Sequence, residues 1–146
     1  MLNYLKIYFA CSVLNSTPKF AKNIVEILKK YGEVINSEIV RDDIRILDEE
    51  YYKKGINIYE NDIINIDKAN ALVAEVSIPS TGLGMEIQYA LDKNKKVLCL
   101  YESAKEKNVS KMILTCKEMD KEKYSNVGDL EKIIDNFFKK EYPFLF

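Results

Sequence analysis

The chain has 146 residues, 47% of them hydrophobic, and 22 basic against 23 acidic side chains leave a formal net charge of −1. That is the size and composition of one domain with a substantial core, expected over 1–146, and not of a disordered chain. The bases are dispersed, no apolar run approaches the roughly 18 residues of a membrane span, and histidine is absent, which sets aside a nucleic-acid polymer, a membrane partner, Ser-His-Asp or Cys-His nucleophiles and His-bearing zinc sites.

The opening MLNYLKIYFACS lacks a charged segment ahead of its apolar part and reads as a strand, not a signal peptide. Residues 4–10, YLKIYFA, form that first strand. Thr17 and Pro18 read as N-cap and first position of a helix in which Phe20, Ile24, Ile27, Leu28 and Tyr31 recur at helical spacing. Gly32 closes it as a C′ residue. Residues 33–40, EVINSEIV, read as a second strand, and the polar, weakly patterned 41–55, RDDIRILDEEYYKKG, as a long loop over the sheet edge. A helix over 56–68 sets Ile56, Tyr59, Ile63 and Ile66 on one side. Strand three is expected over 70–77 (NALVAEVS), a helix over 83–94 and strand four over 96–101 (KVLCLY). A further helix over 104–116, a weak fifth strand over 119–124 and a last helix marked by Leu130, Ile133, Ile134, Phe137 and Phe138 complete the chain. Cys11, Cys99 and Cys116, with no C-x-x-C, suit reduced thiols in a cytoplasm.

This alternation predicts an α/β protein with a Rossmann-like (flavodoxin-like) five-stranded parallel sheet flanked by helices on both faces. Such sheets bind ligands at the carboxyl ends of their strands, near the reversal of strand order. Those ends read ACSVLNS after strand one and EVSIPSTGLGME after strand three. The second stretch turns through Pro79, Ser80, Thr81, Gly82 and Gly84 into a helix whose first turn carries Glu86, where the helix dipole tends to hold a carboxylate ionised. A dinucleotide site fails here, because Ile87 replaces the third glycine of G-x-G-x-x-G and the loop follows the third strand. A plain tight turn, with Glu86 merely complementing the dipole, accounts for the stretch until a second carboxylate is considered. Asp62, in YENDIIN, can approach Glu86 if its helix begins late enough for the first turn to overhang the strand ends.

The segments YFACS at 8–12, END at 60–62, ANALVAEVSIPSTGLGMEI at 69–87 and NVSKMI at 108–113 resemble the 2′-deoxynucleoside 5′-phosphate N-hydrolases of the nucleoside 2-deoxyribosyltransferase superfamily. The similarity spans residues 6–142 and includes the 24-residue spacing of Asp62 and Glu86. It implies cleavage of deoxynucleoside monophosphates to free base and 2-deoxyribose 5-phosphate, with no metal and no cofactor, by a homodimer with shared active sites. By position, it implies Glu86 as the nucleophile that forms a covalent glycosyl-enzyme, Asp62 as the acid for the departing base and Tyr8 at the sugar. Ser12, Ser80 and the Gly82 backbone fall in the 5′-phosphate pocket, and Ser110 and Met112 come from the neighbouring subunit. These roles agree with the chemistry. A carboxylate stabilises and captures the oxocarbenium-like sugar, a nearby carboxyl that cannot easily ionise too acts as acid, and a helix N-terminus holds phosphate without much lysine or arginine.

Two departures from the family pattern stand out. Cys11 and Leu14 occupy the glycine and arginine places of G-S-x-R, with Lys19 or Lys111 as substitute cations, and Ser37 or Glu38 falls where a histidine is usual. A deoxyribosyltransferase moving deoxyribose between bases and a non-catalytic nucleotide sensor are the alternatives. Glu75 is expected to bond loop backbone. Cys11, with no base to activate it, is expected to pack rather than react.

Overall fold

The structure is a computed structural model that describes residues 5–14 and 16–146; the expected start of the first strand at residue 4 lies outside the described residues, as does Asn15. Five strands, β1 (Lys6–Cys11), β2 (Glu33–Val34), β3 (Ala71–Glu75), β4 (Lys96–Glu102) and β5 (Asp120–Tyr124), pair in parallel in the order β2-β1-β3-β4-β5. The helices are α1 (Ala21–Leu28), α2 (Ile44–Lys53), α3 (Ile58–Lys68), α4 (Thr81–Asp92), α5 (Lys111–Thr115) and α6 (Val127–Glu141). This is the α/β sheet that the alternation of apolar runs predicts.

Every residue of β3 is buried, which only a sheet covered on both faces allows. Alternate side chains feed two cores. Ile7, Phe9, Val73, Leu98 and Leu100 pack under α1 and α6, against Ile24, Leu28, Leu130, Ile134 and Phe138. Tyr8, Ala10, Leu72, Ala74 and Cys99 face α3 and α4, against Ile66, Leu83, Ile87 and Ala90. Strand order reverses between β1 and β3, so the carboxyl ends of these strands open a crevice there. No helix among the described residues is long and apolar enough to cross a membrane.

Several local expectations are overturned, each for a visible reason. Helix α1 starts at Ala21 after Phe20, which gives no side-chain cap, and not at Thr17–Pro18. Gly32 is needed for close approach and not as a left-handed C′ residue, since a Cβ there would strike the Leu5 carbonyl. Strand β2 stops after two residues because Asn36 takes over its partner's backbone: Oδ1 accepts from Phe9 N at 2.9 Å and Nδ2 donates to Phe9 O at 2.6 Å. The chain then makes a 3₁₀ turn over Ser37–Val40. The expected loop at 41–55 contains α2 instead. In α3 only Ile66 is buried, while Ile56 and Tyr59 are exposed. The expected helix over 104–116 divides into a 3₁₀ turn, Ser103–Asn108, and the short α5.

Candidate active site

The crevice beyond β1 and β3 is a cleft of about 910 Å³. One wall is the turn after β3 and the start of α4. The opposite wall is built by the 3₁₀ turn at 37–40, α2 and α3. Ser80 is the N-cap of α4, its Oγ accepting from Leu83 N at 3.4 Å. Helix α4 therefore begins at Thr81, two residues before the expected 83, and Glu86 sits in its second turn. The dipole acts most strongly on the first turn, so it does not govern this carboxyl.

Glu86 instead lies half-buried over Tyr8, which is 2% exposed and donates its hydroxyl proton to Glu86 Oε2. Burial pushes Glu86 up to about 8, against the Tyr8 hydrogen bond, and the charge of Asp62 adds to the rise. Asp62 lies in the second turn of α3, which starts at Ile58 with Asn57 Oδ1 accepting from Glu60 N at 3.0 Å. Asp62 lines the cleft from that second turn, and not from the first turn as expected. Asp62 is pushed up to about 6 by burial and then by the charge of Asp48, while the Tyr8 hydroxyl opposes the rise. Burial, with the charges of Glu86 and Asp62, holds the Tyr8 phenol far above its usual range, so it remains a donor. Burial thus raises both carboxyls above the ordinary carboxylate range. Burial raises Glu86 as well as Asp62, where only the rise on Asp62 was expected.

Ser12 (buried), Ser80 and Gly82 line the cleft near the α4 N-terminus. A Cβ built on Gly82 would meet nothing within 4 Å, so the space beside its Cα is open. Ser110 and Met112 line the cleft of their own chain, with Met112 84% exposed. The structure thus gathers Tyr8, Asp62, Glu86, Ser12, Ser80, Gly82, Ser110 and Met112 around one cavity.

The cleft's charge is one-sided. Glu38, Asp48, Asp62 and Glu86 line it, and no lysine or arginine does among the described residues. Neither substitute cation faces it. The Lys19 ammonium lies 5.2 Å from the Phe20 ring centroid, and Lys111 is exposed outside the lining. Leu14, at the arginine place, lines the cleft with 75% exposure. Any anion here must be held by hydroxyls, amides and the helix end.

Sequence reasoning missed α2, which brings Ile44, Leu47, Asp48 and Tyr51 to the wall. Their i, i+3, i+4, i+7 spacing was the available signal. Cys11 also lines the cleft, but it is 5% exposed and its thiol is pushed up to about 12 by burial, then by Glu75 and Glu86, which makes it a packing group as expected. Glu75 does bond loop backbone, accepting from Ser77 N at 2.6 Å.

Comparison with known proteins follows the same line. The profile of the family described as nucleoside 2-deoxyribosyltransferase matches residues 7–132. A Nematostella vectensis protein, provisionally named 2′-deoxynucleoside 5′-phosphate N-hydrolase 1, is 36% identical over 94% of this chain and 84% of its own length. A 5-hydroxymethyl-dUMP N-hydrolase from Rattus norvegicus is 28% identical over 94% of this chain and 86% of its own. Among solved structures, a CMP N-glycosidase from Clostridium botulinum superposes with a TM-score of 0.56 at 17% identity, covering 89% of this chain and 98% of its own, which is a likeness of fold. With a profile match over most of its length and with these relatives, the chain belongs to the nucleoside 2-deoxyribosyltransferase family.

Proposed function

We propose that this protein is a hydrolase that cleaves the N-glycosidic bond of 2′-deoxynucleoside 5′-monophosphates, releasing free base and 2-deoxyribose 5-phosphate. The observation that carries the reading is the Tyr8–Glu86–Asp62 constellation beside the open N-terminus of a twelve-residue helix. The names of the relatives in Nematostella vectensis and Rattus norvegicus support the same reaction class.

In this account the 5′-phosphate rests against the Ser80 hydroxyl, the Gly82 amide and the first turn of α4, with Ser12 opposite. The Ser80 lone pair caps Leu83 N, which leaves its proton for the phosphate. The sugar then lies over Tyr8, with C1′ facing Glu86 and the base toward Asp62 and α2. As the C1′–N bond breaks, the ionised Glu86 attacks C1′ and Asp62 delivers its proton to the departing base. Asp62, now ionised, takes a proton from water, which attacks C1′ and frees Glu86. Tyr8 steadies Glu86 as a carboxylate before attack and again as water releases it. The chain acts as one domain without metal or cofactor. It works as a homodimer in which Ser110 and Met112 reach the neighbouring cleft, a role that the exposure of Met112 at the cleft rim suits. The free thiols of Cys11, Cys99 and Cys116 fit a reducing cytoplasm.

The test is a panel of deoxynucleosides and their monophosphates, with and without a second free base, and Glu86→Ala as control. Free base plus sugar phosphate from the monophosphates identifies the hydrolase. A new nucleotide formed from the added base identifies the transferase, and binding without turnover identifies a sensor. Two or three charge-assisted bonds to phosphate, each worth roughly 1.5 to 3 kcal/mol, favour monophosphate over nucleoside by about 10² or more in kcat/KM. Glu86→Ala should lose on the order of 10⁴ or more in rate.

A further inference from the structure

We infer that Glu75 is a positioning residue: its buried carboxylate, with Ser77 and Tyr124, clasps the ends of β3, β4 and β5 and so fixes the turn that presents Ser80 to the substrate phosphate. Glu75 is the last residue of the central strand and is wholly buried. It shares a face with Ala71 and Val73, under α1 and α6, whereas Tyr8 projects on the α3 and α4 face. It is absent from the cleft lining, so it does not touch substrate.

Three donors converge on this carboxylate. Oε1 accepts from Ser77 N at 2.6 Å, and Oε2 accepts from Ser77 Oγ at 3.0 Å and from the Tyr124 hydroxyl. The Ser77 hydroxyl in turn accepts from Glu102 N at 2.8 Å, which sets the direction of its own proton toward Glu75. One buried knot thus joins the end of β3 to the ends of β4 and β5. Val76 N adds a bond to Leu100 O at 2.8 Å. Among the described residues, these bonds are what tie the turn from Val76 to Ser80 to the sheet.

A carboxylate buried without a cation is costly, and an apolar residue of the same size would fill the space more cheaply. It would also leave Ser77 N without its acceptor and release the turn three residues before Ser80. Helix α4 is held separately, through Leu83, Ile87 and Ala90, so Glu86 stays in place when the turn loosens. The clasp therefore governs the phosphate end of the cleft more than the reacting end.

The inference rests on the phosphate reading above, and the wild-type protein tests that reading first: equal kcat/KM for monophosphate and nucleoside overturns both. Given a wild-type preference, Glu75→Leu and Ser77→Ala should cut the monophosphate-to-nucleoside ratio about tenfold or more. The loss should fall in KM for the monophosphate, with nucleoside kcat/KM within about threefold of wild type. Glu75→Gln should keep the preference, because its Oε1 still accepts from Ser77 N and both hydroxyls can turn to accept from its amide. Should Glu75→Leu fail to fold, Ser77→Ala carries the test. A lowered Tm with an unchanged ratio, or an equal loss on both substrates, would make the knot a stability element only and overturn the positioning role.

Discussion

At the residue scale the decisive group is Glu86, and its environment sets an uphill step. Glu86 is pushed up to about 8 and Asp62 to about 6. Burial favours the proton on Glu86, whereas the proposed mechanism needs that proton on Asp62. A bell-shaped pH dependence of kcat/KM is expected, with limbs near the two values. Tyr8→Phe removes a bond that favours the carboxylate, so the upper limb should move up and the maximum fall; an unmoved limb would separate Tyr8 from Glu86. The same shift sets a stability trend. The unfolded chain releases the Glu86 proton near 4.5 and the folded chain near 8, so the folded state binds the extra proton in that window. Stability must then fall as pH rises through it. Glu86→Gln should therefore gain Tm over wild type at pH 8 and much less at pH 4.5, which thermal unfolding at both values checks. For Asp62→Asn, a large rate loss should shrink as the leaving group improves, since a better leaving group needs less protonation. An equal loss across such a series would remove Asp62 from the acid role.

At the element scale, α4 is a scaffold whose N-terminus is the proposed phosphate site, and Gly82 tests that reading. Gly82 lies in the first turn, where alanine would favour the helix by up to about 1 kcal/mol. Nothing in the protein crowds that position, so a methyl group there would meet only the proposed phosphate. Gly82→Ala should hold or slightly raise Tm and raise KM for the monophosphate by roughly tenfold. Unchanged KM would move the phosphate away from this amide. The sequence carried α4's existence and the β3 turn plainly, because glycine, proline and an apolar run punctuate them. It hid α2, whose apolar stripe of Ile44, Leu47 and Tyr51 faces a cleft and not a core, so no buried run announces it. It also hid the stop in β2, because one side chain, Asn36, replaces a strand's hydrogen bonds. The Glu86 and Asp62 positions were legible from motif and spacing. The rise on Glu86 was not, because burial causes it and burial belongs to the assembled walls.

At the scale of the whole molecule, the parallel sheet fixes the site by topology: the reversal between β1 and β3 lays Tyr8, Asp62 and Glu86 around one opening. The walls carry four carboxyls and no lysine or arginine among the described residues, so a bound dianion depends on neutral donors and the helix end. Assembly adds a further test. If Ser110 completes the neighbour's cleft, equal mixing of Glu86→Ala and Ser110→Ala chains creates mixed dimers with one intact site in two. Activity should then recover to about a quarter of wild type once subunits exchange. No recovery, with exchange confirmed, would keep Ser110 in its own cleft.

In the proposed mechanism the sugar phosphate passes through a covalent bond to Glu86, which rapid quenching can capture. Asp62→Asn slows the attack of water, so a monophosphate with a good leaving group should load the protein. Mass analysis of the quenched protein is predicted to find 2-deoxyribose 5-phosphate on the peptide that contains Glu86, formed in step with a burst of free base. A burst of base without protein-bound sugar, or sugar bound to another residue, would contradict the account.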